Sequence, residues 1–362
     1  MPPMPPPDDP TGPIRPPDAP PSAYARAGVD LDAADRAKRQ MRTSARGTHG
    51  PEVLAGLGGF GGLFAFDAAG MREPVLVSSI DGVGTKLKLA FALGRHEAVG
   101  RDLVAHCVDD ILACGARPLF FLDYLALGVM DATQATTVVA GVAEGCKAAG
   151  CALVGGETAA MPGFYAPGEY DLAGCIVGVV DRAQLVTGAA IAAGDAVIGL
   201  PSLGLHTNGF SLARQVLAHL DLHATVPALG SGLGEALMQP HQLYLPAVRP
   251  LLDDALVTGM AHITGGGLVD NPPRVVPEQL TVRLDATTWE VLPIFRLIQR
   301  EGQISWAEMQ RVFNLGLGYL LFCRKRDAAA VLERTAPHGG RRVGQVEPRA
   351  TDGARVIVEG LP

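Results

Sequence analysis

The first motif that could do chemistry joins two glycines to charged side chains. The letters DGVGTK occupy residues 81–86, directly after an apolar run over 74–80 that predicts a buried strand. Glycines free the backbone to wrap phosphate oxygens, and Lys86 adds a fixed positive charge. The spacing is neither that of a Walker loop nor that of the dinucleotide fingerprint. The motif favours a phosphate site, with a tight turn and a surface lysine as the alternative.

A polar stripe on the next predicted helix, over 97–114, offers oxygen ligands for a metal ion. Asp102, His106 and either Asp109 or Asp110 share one helix face. Carboxylates suit Mg²⁺, which binds one or two acids together with substrate phosphates. A solvated helix face is the alternative, and His106 is interpreted as a neighbour rather than a ligand.

Two further glycine-rich segments lie in the first half of the chain. The letters GGET at 155–158 follow an apolar strand over 151–154, which puts Glu157 where ligands bind in open α/β sheets. A helix cap by Thr158 is the alternative. The letters GGFGG at 58–62 predict either a flap over a nucleotide or a close backbone crossing.

The second half contributes two glycine-bounded loops. His206 and Asn208 lie in the loop over 204–209, where the imidazole can serve as acid, base or phosphate ligand, whereas Asn208 is equally suited to cap a helix. Three successive glycines at 265–267 offer backbone N–H groups to an anion such as a sugar phosphate. Because no pattern of a covalent nucleophile is present, these residues together indicate phosphoryl chemistry held by carboxylates, Mg²⁺ and backbone amides.

These motifs need elements to position them, and the pattern predicts two α/β domains after a tail. Residues 1–22 contain eleven prolines and predict a disordered, extended segment. We expect an N-terminal domain over 23–187 and a C-terminal domain over 188–362. Predicted strands cover 74–80, 119–125, 151–154, 170–180, 196–200, 280–284, 316–322 and 355–358. Predicted helices cover 97–114, 133–149, 211–220, 242–252, 290–300 and 326–335.

Composition excludes several classes of protein. A formal charge of -7 provides no basic field for nucleic acid. The apolar stretches are far shorter than the ~20 residues that a membrane helix needs, and the N-terminus has no signal pattern, so we expect a soluble, cytoplasmic protein. Six scattered cysteines predict reduced thiols. The 45 glycines predict many tight turns and close backbone approaches.

The ordered motifs resemble those of the aminoimidazole ribonucleotide synthetase (AIR synthase) family of purine biosynthesis, over nearly everything from Tyr24 onward. The matching segments are YARAGVD at 24–30, GGFG at 58–61, DGVGTK at 81–86, DLVA at 102–105, PLFFLDY at 118–124, EGC at 144–146, GGETA at 155–159 with MPG at 161–163, YDLAG at 170–174, His206 with NG at 208–209, ITGGG at 263–267, and FN at 313–314 with Gly316 and Gly318.

The resemblance implies an α+β fold of the AIR synthase-like ATP-binding superfamily. An N-terminal α/β domain would contribute strands to a barrel shared by a homodimer, beside a C-terminal α/β domain. ATP would phosphorylate the formyl oxygen of formylglycinamidine ribonucleotide to give an iminophosphate. The amidine nitrogen would then close the imidazole ring, releasing 5-aminoimidazole ribonucleotide, ADP and phosphate.

The resemblance also assigns roles to residues. Asp81, Asp110 and Glu157 would contact Mg²⁺. The nucleotide would meet Gly59, Gly61, Asp81, Gly82, Gly84, Thr85, Lys86 and Glu157. The substrate would meet His206, Asn208, Thr264, Gly265, Gly266 and Gly267. Lys86, His206 and Asp110 would be the catalytic residues.

Some positions depart from the family pattern. Asp109 stands where the family has Asn, which adds a negative charge, Ala160 stands for Glu, and His241 stands for Thr beside a proposed substrate contact. Other enzymes of the same superfamily remain alternatives: selenophosphate synthetase, the hydrogenase-maturation dehydratase, formylglycinamidine ribonucleotide synthetase and thiamine-phosphate kinase. From a different class, a nucleotide-binding protein without turnover is the second hypothesis.

Overall fold

The structure, a computed structural model, describes residues 31–362, with side chains from residue 34 onward. The tail predicted over 1–22 lies outside these residues. The chain divides into two units, the first with residues up to 71, 78–107 and 118–179, and the second with 72–77, 108–117 and 180–362. The domain boundary placed at 187 by the sequence stays a prediction.

The first unit is built around a four-stranded sheet in the order β3-β6-β4-β5, in which β4 and β5 run parallel. A separate antiparallel pair, β1 and β2, carries the glycine-rich segment between its strands. The strands are β1 (Val53–Ala55), β2 (Leu63–Phe64), β3 (Pro74–Gly82), β4 (Arg117–Leu127), β5 (Ala152–Ala160) and β6 (Tyr170–Asp181). The helices are α1 (Leu31–Arg46), α2 (Leu87–Leu93), α3 (Glu97–Leu112) and α4 (Ala132–Ala149).

One face of this sheet is buried and the other is open. On β6, Leu172 and Ile176 are buried, whereas the alternate residues Ala173 and Val177 are only half-buried. The two faces differ because successive side chains of a strand point to opposite sides. On the edge strand β3, Ile80 is 73% exposed. Within residues 31–362, one apolar face of the sheet is therefore left uncovered.

Helices α3 and α4 approach each other unusually closely through glycines. A Cβ added at Gly100 would collide with the backbone of Val138 and Val142, and one added at Gly141 would collide with the carbonyl of Glu97. Asp131 caps the start of α4 by accepting from two amides, and Gly150 ends the helix in the left-handed conformation. The close packing fixes α3, which carries the polar stripe.

The second unit contains a six-stranded sheet in the order β10-β12-β7-β13-β11-β14, antiparallel except between β11 and β14. The strands are β7 (Ala196–Pro201), β10 (Gly259–His262), β11 (Leu280–Asp285), β12 (Leu317–Cys323), β13 (Arg341–Pro348) and β14 (Val356–Glu359), with a short pair β8 (Thr225–Val226) and β9 (Ser231–Gly232) outside the sheet. The helices are α5 (Phe210–Val216), α6 (Leu233–Leu237), α7 (Leu245–Asp253), α8 (Gly267–Asp270), α9 (Pro293–Gly302), α10 (Trp306–Val312) and α11 (Ala328–Thr335). Its core packs Ile198, Leu200 and Leu321 against Val248 of α7.

The mixed α/β architecture predicted from the sequence is confirmed, with differences in detail. The segment 155–158, predicted to follow the strand over 151–154, continues it as part of β5, so Thr158 caps no helix. The strand continues because it pairs with β4 up to Ala160. Sequence analysis also assigned no element to α1, β10 or β13. All six cysteines are free, as expected.

Candidate functional site

A cleft of about 300 Å³ opens in the first unit between α1, the glycine-rich segment and the paired strands β4 and β5. Gly59 and Glu157, both predicted to meet the nucleotide, line it. Gly61 does not contribute to the lining, and a Cβ added there would meet no atom within 4 Å. The side chains around the opening include Lys38 and Arg42 of α1.

Strand β5 brings its backbone unusually close to β4 at this cleft. The pairing skips Val154, so β5 carries an extra residue opposite Phe121 and Leu122. A Cβ added at Gly156 would collide with the Asp123 side chain. The glycine therefore lets the Asp123 carboxyl and the exposed Glu157 share the cleft wall.

Both signs of charge surround the cleft. Lys38 and Arg42 contribute cations, and a Cβ added at Gly58, where φ is +127°, would lie 3.3 Å from Arg42 Nη2. Burial raises the pKa of Asp123 from 3.8 to about 7, although an amide hydrogen bond opposes the shift. Two cations, backbone amides and two carboxyl groups are a donor set suited to a phosphate with a divalent ion.

We expect Asp123→Asn to stabilise the protein at high pH. A raised carboxyl pKa means that the folded state keeps a proton which the unfolded state has released, so stability falls as pH rises from about 4 to about 7. Removing the titration should increase the unfolding free energy by about 1–2 kcal/mol at pH 8 and by little at pH 4.5. Denaturant melts at both pH values measure this, with the exposed Asp35→Asn as control. An equal effect at both values would contradict the assignment.

The DGVGTK motif forms the end of β3 and a single 3₁₀ turn over Gly84–Lys86. Asp81 lies on the strand, accepts from Ser79 Oγ at 3.2 Å and lies 3.6 Å from His106 Nε2. Gly84 has φ +67°, which permits the turn immediately after Gly82 ends the strand. His106 is thus a neighbour of Asp81, while Thr85 lies within the turn. That His106 is not a metal ligand stays a prediction.

Lys86 is a buried residue and not a surface lysine. Its ammonium group lies 2.7 Å from Asp102 Oδ2, and both side chains are fully buried. The alternative of a surface lysine is therefore wrong. The alternative of a solvated helix face is wrong as well, because Asp102, His106 and Asp109 are all buried. The lysine is buried because an acid of α3 compensates its charge. Its contact with nucleotide phosphates stays a prediction.

Two of the acids predicted to contact Mg²⁺ lie on different edge strands of the first unit's sheet. Asp81 lies on β3 and Glu157 on β5, which are the two edge strands, with β6 and β4 between them. Three strand spacings therefore separate the two edge strands. The assignment of Asp81 and Glu157 to Mg²⁺ stays a prediction.

In the second unit, the loop after β7 presents His206 in a strained backbone conformation with φ +63°. Asn208 does not cap α5, because the cap residue is Gly209 and no side chain caps it. Asn208 Oδ1 would lie 3.2 Å from a Cβ added at Gly265, so this amide and the triple glycine adjoin. The structure thus brings together two of the segments predicted to meet the substrate.

The triple-glycine loop is held by Asn271, which sequence analysis did not single out as a site residue. Asn271 Oδ1 accepts from the Thr264 amide at 3.0 Å, and its Nδ2 donates to Thr264 Oγ1 at 3.1 Å. Gly267 has φ +57° and begins α8. Asn314, also buried, ties the β7 loop by donating to the Gly204 carbonyl at 2.9 Å.

The Asp110 carboxylate contacts the imidazole of a histidine. His262 Nδ1 lies 2.8 Å from Asp110 Oδ1, and the Asp110 side chain is about one-third exposed. Its neighbour Asp109 is buried and accepts from the Tyr244 amide at 2.9 Å. Burial raises the pKa of Asp109 well above its usual range, the Tyr244 amide opposes this, and Asp110 adds to it.

Four functional candidates escaped sequence analysis: Lys38, Arg42, Asp123 and His262. The first two lie on α1, whose buried Ala37, Met41 and Ala45 recur every four residues and could have predicted the helix. Asp123 lies inside a strongly apolar strand, where a carboxyl in a predicted core is itself a signal of function.

Comparison with known proteins places both halves in one family. The model of the AIR synthase related protein N-terminal domain matches residues 66–180, and that of its C-terminal domain matches residues 192–357. A protein of Desulfitobacterium hafniense named phosphoribosylformylglycinamidine cyclo-ligase is 52% identical over 305 residues, covering 84% of this chain and 90% of its own. A protein of Myxococcus xanthus with the same name is 50% identical over 341 residues, covering 93% and 99%.

The two domain matches define the class as AIR synthase-like. At this level of identity, the chain belongs to the phosphoribosylformylglycinamidine cyclo-ligase family. Among solved structures, the hydrogenase maturation protein HypE in complex with ATP has a TM-score of 0.62 at 19% identity, covering 87% of this chain and 88% of its own. That likeness concerns the fold alone. Among the described residues, no helix is long and apolar enough to cross a membrane.

Proposed function

We propose that this chain is an ATP-dependent ligase that converts formylglycinamidine ribonucleotide to 5-aminoimidazole ribonucleotide, ADP and phosphate in purine biosynthesis. The observation that carries the proposal is identity of about half the residues with proteins of that name over most of both chains. The formyl oxygen is phosphorylated to an iminophosphate, and attack by the amidine nitrogen closes the ring and expels phosphate. We place this reaction in the cytoplasm.

The nucleotide is assigned to the first unit, in the cleft beside the glycine-rich segment. Backbone N–H groups around Gly58 and Gly59 and the cations Lys38 and Arg42 suit the phosphates. Glu157 supplies an exposed carboxylate, a hard oxygen donor of the kind Mg²⁺ takes. When bound, the ion would neutralise charge on the transferred phosphoryl group.

The substrate is assigned to the second unit. The loop over 264–267, held by Asn271, offers amides to the ribose phosphate. Asn208 and His206 would contact the substrate from the adjoining loop. Ring closure is an intramolecular step, so holding the amidine nitrogen against the activated carbon supplies a large part of the acceleration.

The ligase works as a homodimer in this proposal. The uncovered sheet face includes Ile80, the 38% exposed Tyr124 and the half-buried Leu122 and Val177. An exposed apolar face of this kind is typical of a protein–protein interface. The family resemblance implies that the same face of a second chain covers it, in a barrel shared by the two chains. Pairing across chains would also be the way to bring the edge strands of Asp81 and Glu157 towards each other.

We expect Ile80→Glu to convert the dimer into a monomer. The change puts a charge on the apolar face, at its β3 edge, where burial against a partner would leave it desolvated. Light scattering after size-exclusion chromatography measures the mass, and Leu203→Glu, at a position 47% exposed in the second unit, is the matched control. A dimeric Ile80→Glu variant, or a wild-type monomer, would exclude this face as the interface.

The decisive experiment is direct detection of aminoimidazole ribonucleotide when purified protein meets ATP, Mg²⁺ and formylglycinamidine ribonucleotide. We expect one ADP released per ring closed. ATP binding without substrate-dependent ADP release would favour the nucleotide-binding protein without turnover. Phosphorylation of thiamine monophosphate in place of ring closure would instead favour the thiamine-phosphate kinase alternative.

A further inference from the structure

Three buried imidazoles meet in the second unit. His206 follows β7, His241 precedes α7 and His262 ends β10. The rings of His206 and His241 stack with centroids 4.2 Å apart, and the rings of His241 and His262 meet edge to face at 5.2 Å. One ligand nitrogen from each residue lies within 4.8 Å of the other two. We call these residues the three-histidine cluster.

Contacts at the outer nitrogens orient two of these rings. His262 Nδ1 faces Asp110 Oδ1 at 2.8 Å, and His241 Nδ1 faces Thr207 Oγ1 at 3.2 Å. In the tautomer whose Nδ1–H donates to this carboxylate, the lone pair of His262 Nε2 points inward. Outer-shell partners of this kind, a carboxylate above all, hold imidazoles that bind metals.

Two inner nitrogens, those of His241 and His262, are spaced as metal ligands are. His241 Nε2 and His262 Nε2 lie 3.1 Å apart. Two imidazoles bound tetrahedrally at Zn–N distances of 2.0–2.1 Å would have nitrogens about 3.3 Å apart. In the absence of a metal one shared proton joins the two atoms, and a cation can replace it between their lone pairs.

The ligand types select the metal. Imidazole nitrogen suits Zn²⁺, Co²⁺, Ni²⁺ and Cu²⁺, whereas Mg²⁺ prefers oxygen. Asp109 Oδ2, buried 3.8 Å from His241 Nε2, places a carboxyl group beside the cluster.

We propose that His206, His241 and His262 form a site for a divalent transition metal, with Zn²⁺ as the natural occupant. Its ligands are imidazole nitrogens, whereas Asp110, a proposed Mg²⁺ ligand, contacts the cluster only through His262 Nδ1. Because His206 is also a proposed substrate contact, a bound metal ties up that side chain and makes the enzyme reversibly sensitive to Zn²⁺. The binding claim does not depend on the proposed reaction, since it is tested without substrate.

The test is titration of untagged, metal-free protein with Co²⁺, followed by its visible absorption. We expect one Co²⁺ per chain with the intense bands of four-coordinate cobalt, displaced by one equivalent of Zn²⁺. His241→Thr should weaken binding about 100-fold, whereas His223→Thr, which changes an exposed histidine of the same unit, should leave it unchanged. Circular dichroism and melting temperature establish that both variants fold.

X-ray absorption of the zinc-loaded wild-type protein gives an answer that needs no variant. Three nitrogen neighbours at 2.0–2.1 Å support the site, and sulfur or oxygen neighbours alone contradict it. Equal Co²⁺ binding by wild type and His241→Thr would also overturn the proposal. So would absence of stoichiometric binding, which would make the three-histidine cluster a hydrogen-bonded core. If the binding claim holds but ring closure is not detected, only the proposed function fails.

Discussion

Asp102→Ala is expected to lower the free energy of unfolding by about 3–5 kcal/mol, the largest stability effect that the structure supports at a single side chain. Asp102 and Lys86 form an ion pair at 2.7 Å with neither side chain exposed. Removing the acid leaves a buried ammonium group without its counter-charge. Denaturant unfolding followed by fluorescence or circular dichroism measures the loss.

The chain contains a matched control for this prediction. Lys88 and Glu169 form an ion pair at 2.6 Å, but their side chains are 45% and 32% exposed. Lys88→Met should cost less than 1 kcal/mol because water already solvates both charges (~0–1 kcal/mol is usual for such pairs). The double variant Lys86→Met with Asp102→Leu should recover most of the loss, since no unpaired charge remains.

A comparable small loss in Asp102→Ala and Lys88→Met would show that the buried pair does not stabilise the fold. The same series also tests the predicted role of Lys86 at phosphates. If the double variant folds stably yet binds ATP as the wild type does, Lys86 is a structural residue. A selective loss of ATP affinity in that stable variant would instead support the phosphate contact.

Asp110→Asn is expected to reduce kcat about 100-fold, the largest effect on turnover. The carboxylate faces His262 Nδ1 at 2.8 Å and is a proposed Mg²⁺ ligand, so the amide removes a charge while keeping the size. Losses of that order are typical when an orienting carboxylate or one electrostatic contact is removed. Ring-closure assays across a magnesium titration measure kcat and the Mg²⁺ requirement.

The change should leave the fold intact because the Asp110 side chain is about one-third exposed. An unfolding free energy within about 1 kcal/mol of wild type is therefore part of the expectation. Asp67→Asn, at an exposed acid, is the control and should keep full activity. Unchanged turnover of Asp110→Asn at every magnesium concentration would remove Asp110 from the catalytic site.

Sequence reasoning located elements whose signal is local. The strands β4 and β6 and the helices α3 and α4 were predicted within two or three residues, because apolar runs and helical periodicity do not depend on distant partners. Strand β5 was cut short because its paired glycines have the composition of a turn. Only the pairing with β4, which runs to Ala160, makes that segment a strand.

The chemistry of the site was harder to predict for the same reason. The stripe on α3 was visible as a pattern, but nothing local shows that Asp102 faces Lys86 or that Asp110 faces His262. Asp81 and Glu157 seemed equivalent as acids after strands, yet the strand order puts them at opposite edges. Residue type can be interpreted from sequence, whereas partnership between distant residues is decided by topology.

The close contact between α3 and α4 at their glycines limits which substitutions related sequences can accept. Surface and loop positions can accept new side chains one at a time, but Gly100 and Gly141 already press against main-chain atoms of the opposite helix. A methyl group at either position would push the two helices apart. The displacement of α3 would also move its buried acids. No single neighbouring substitution restores that room, so selection is expected to hold these two glycines as firmly as any residue that touches a ligand.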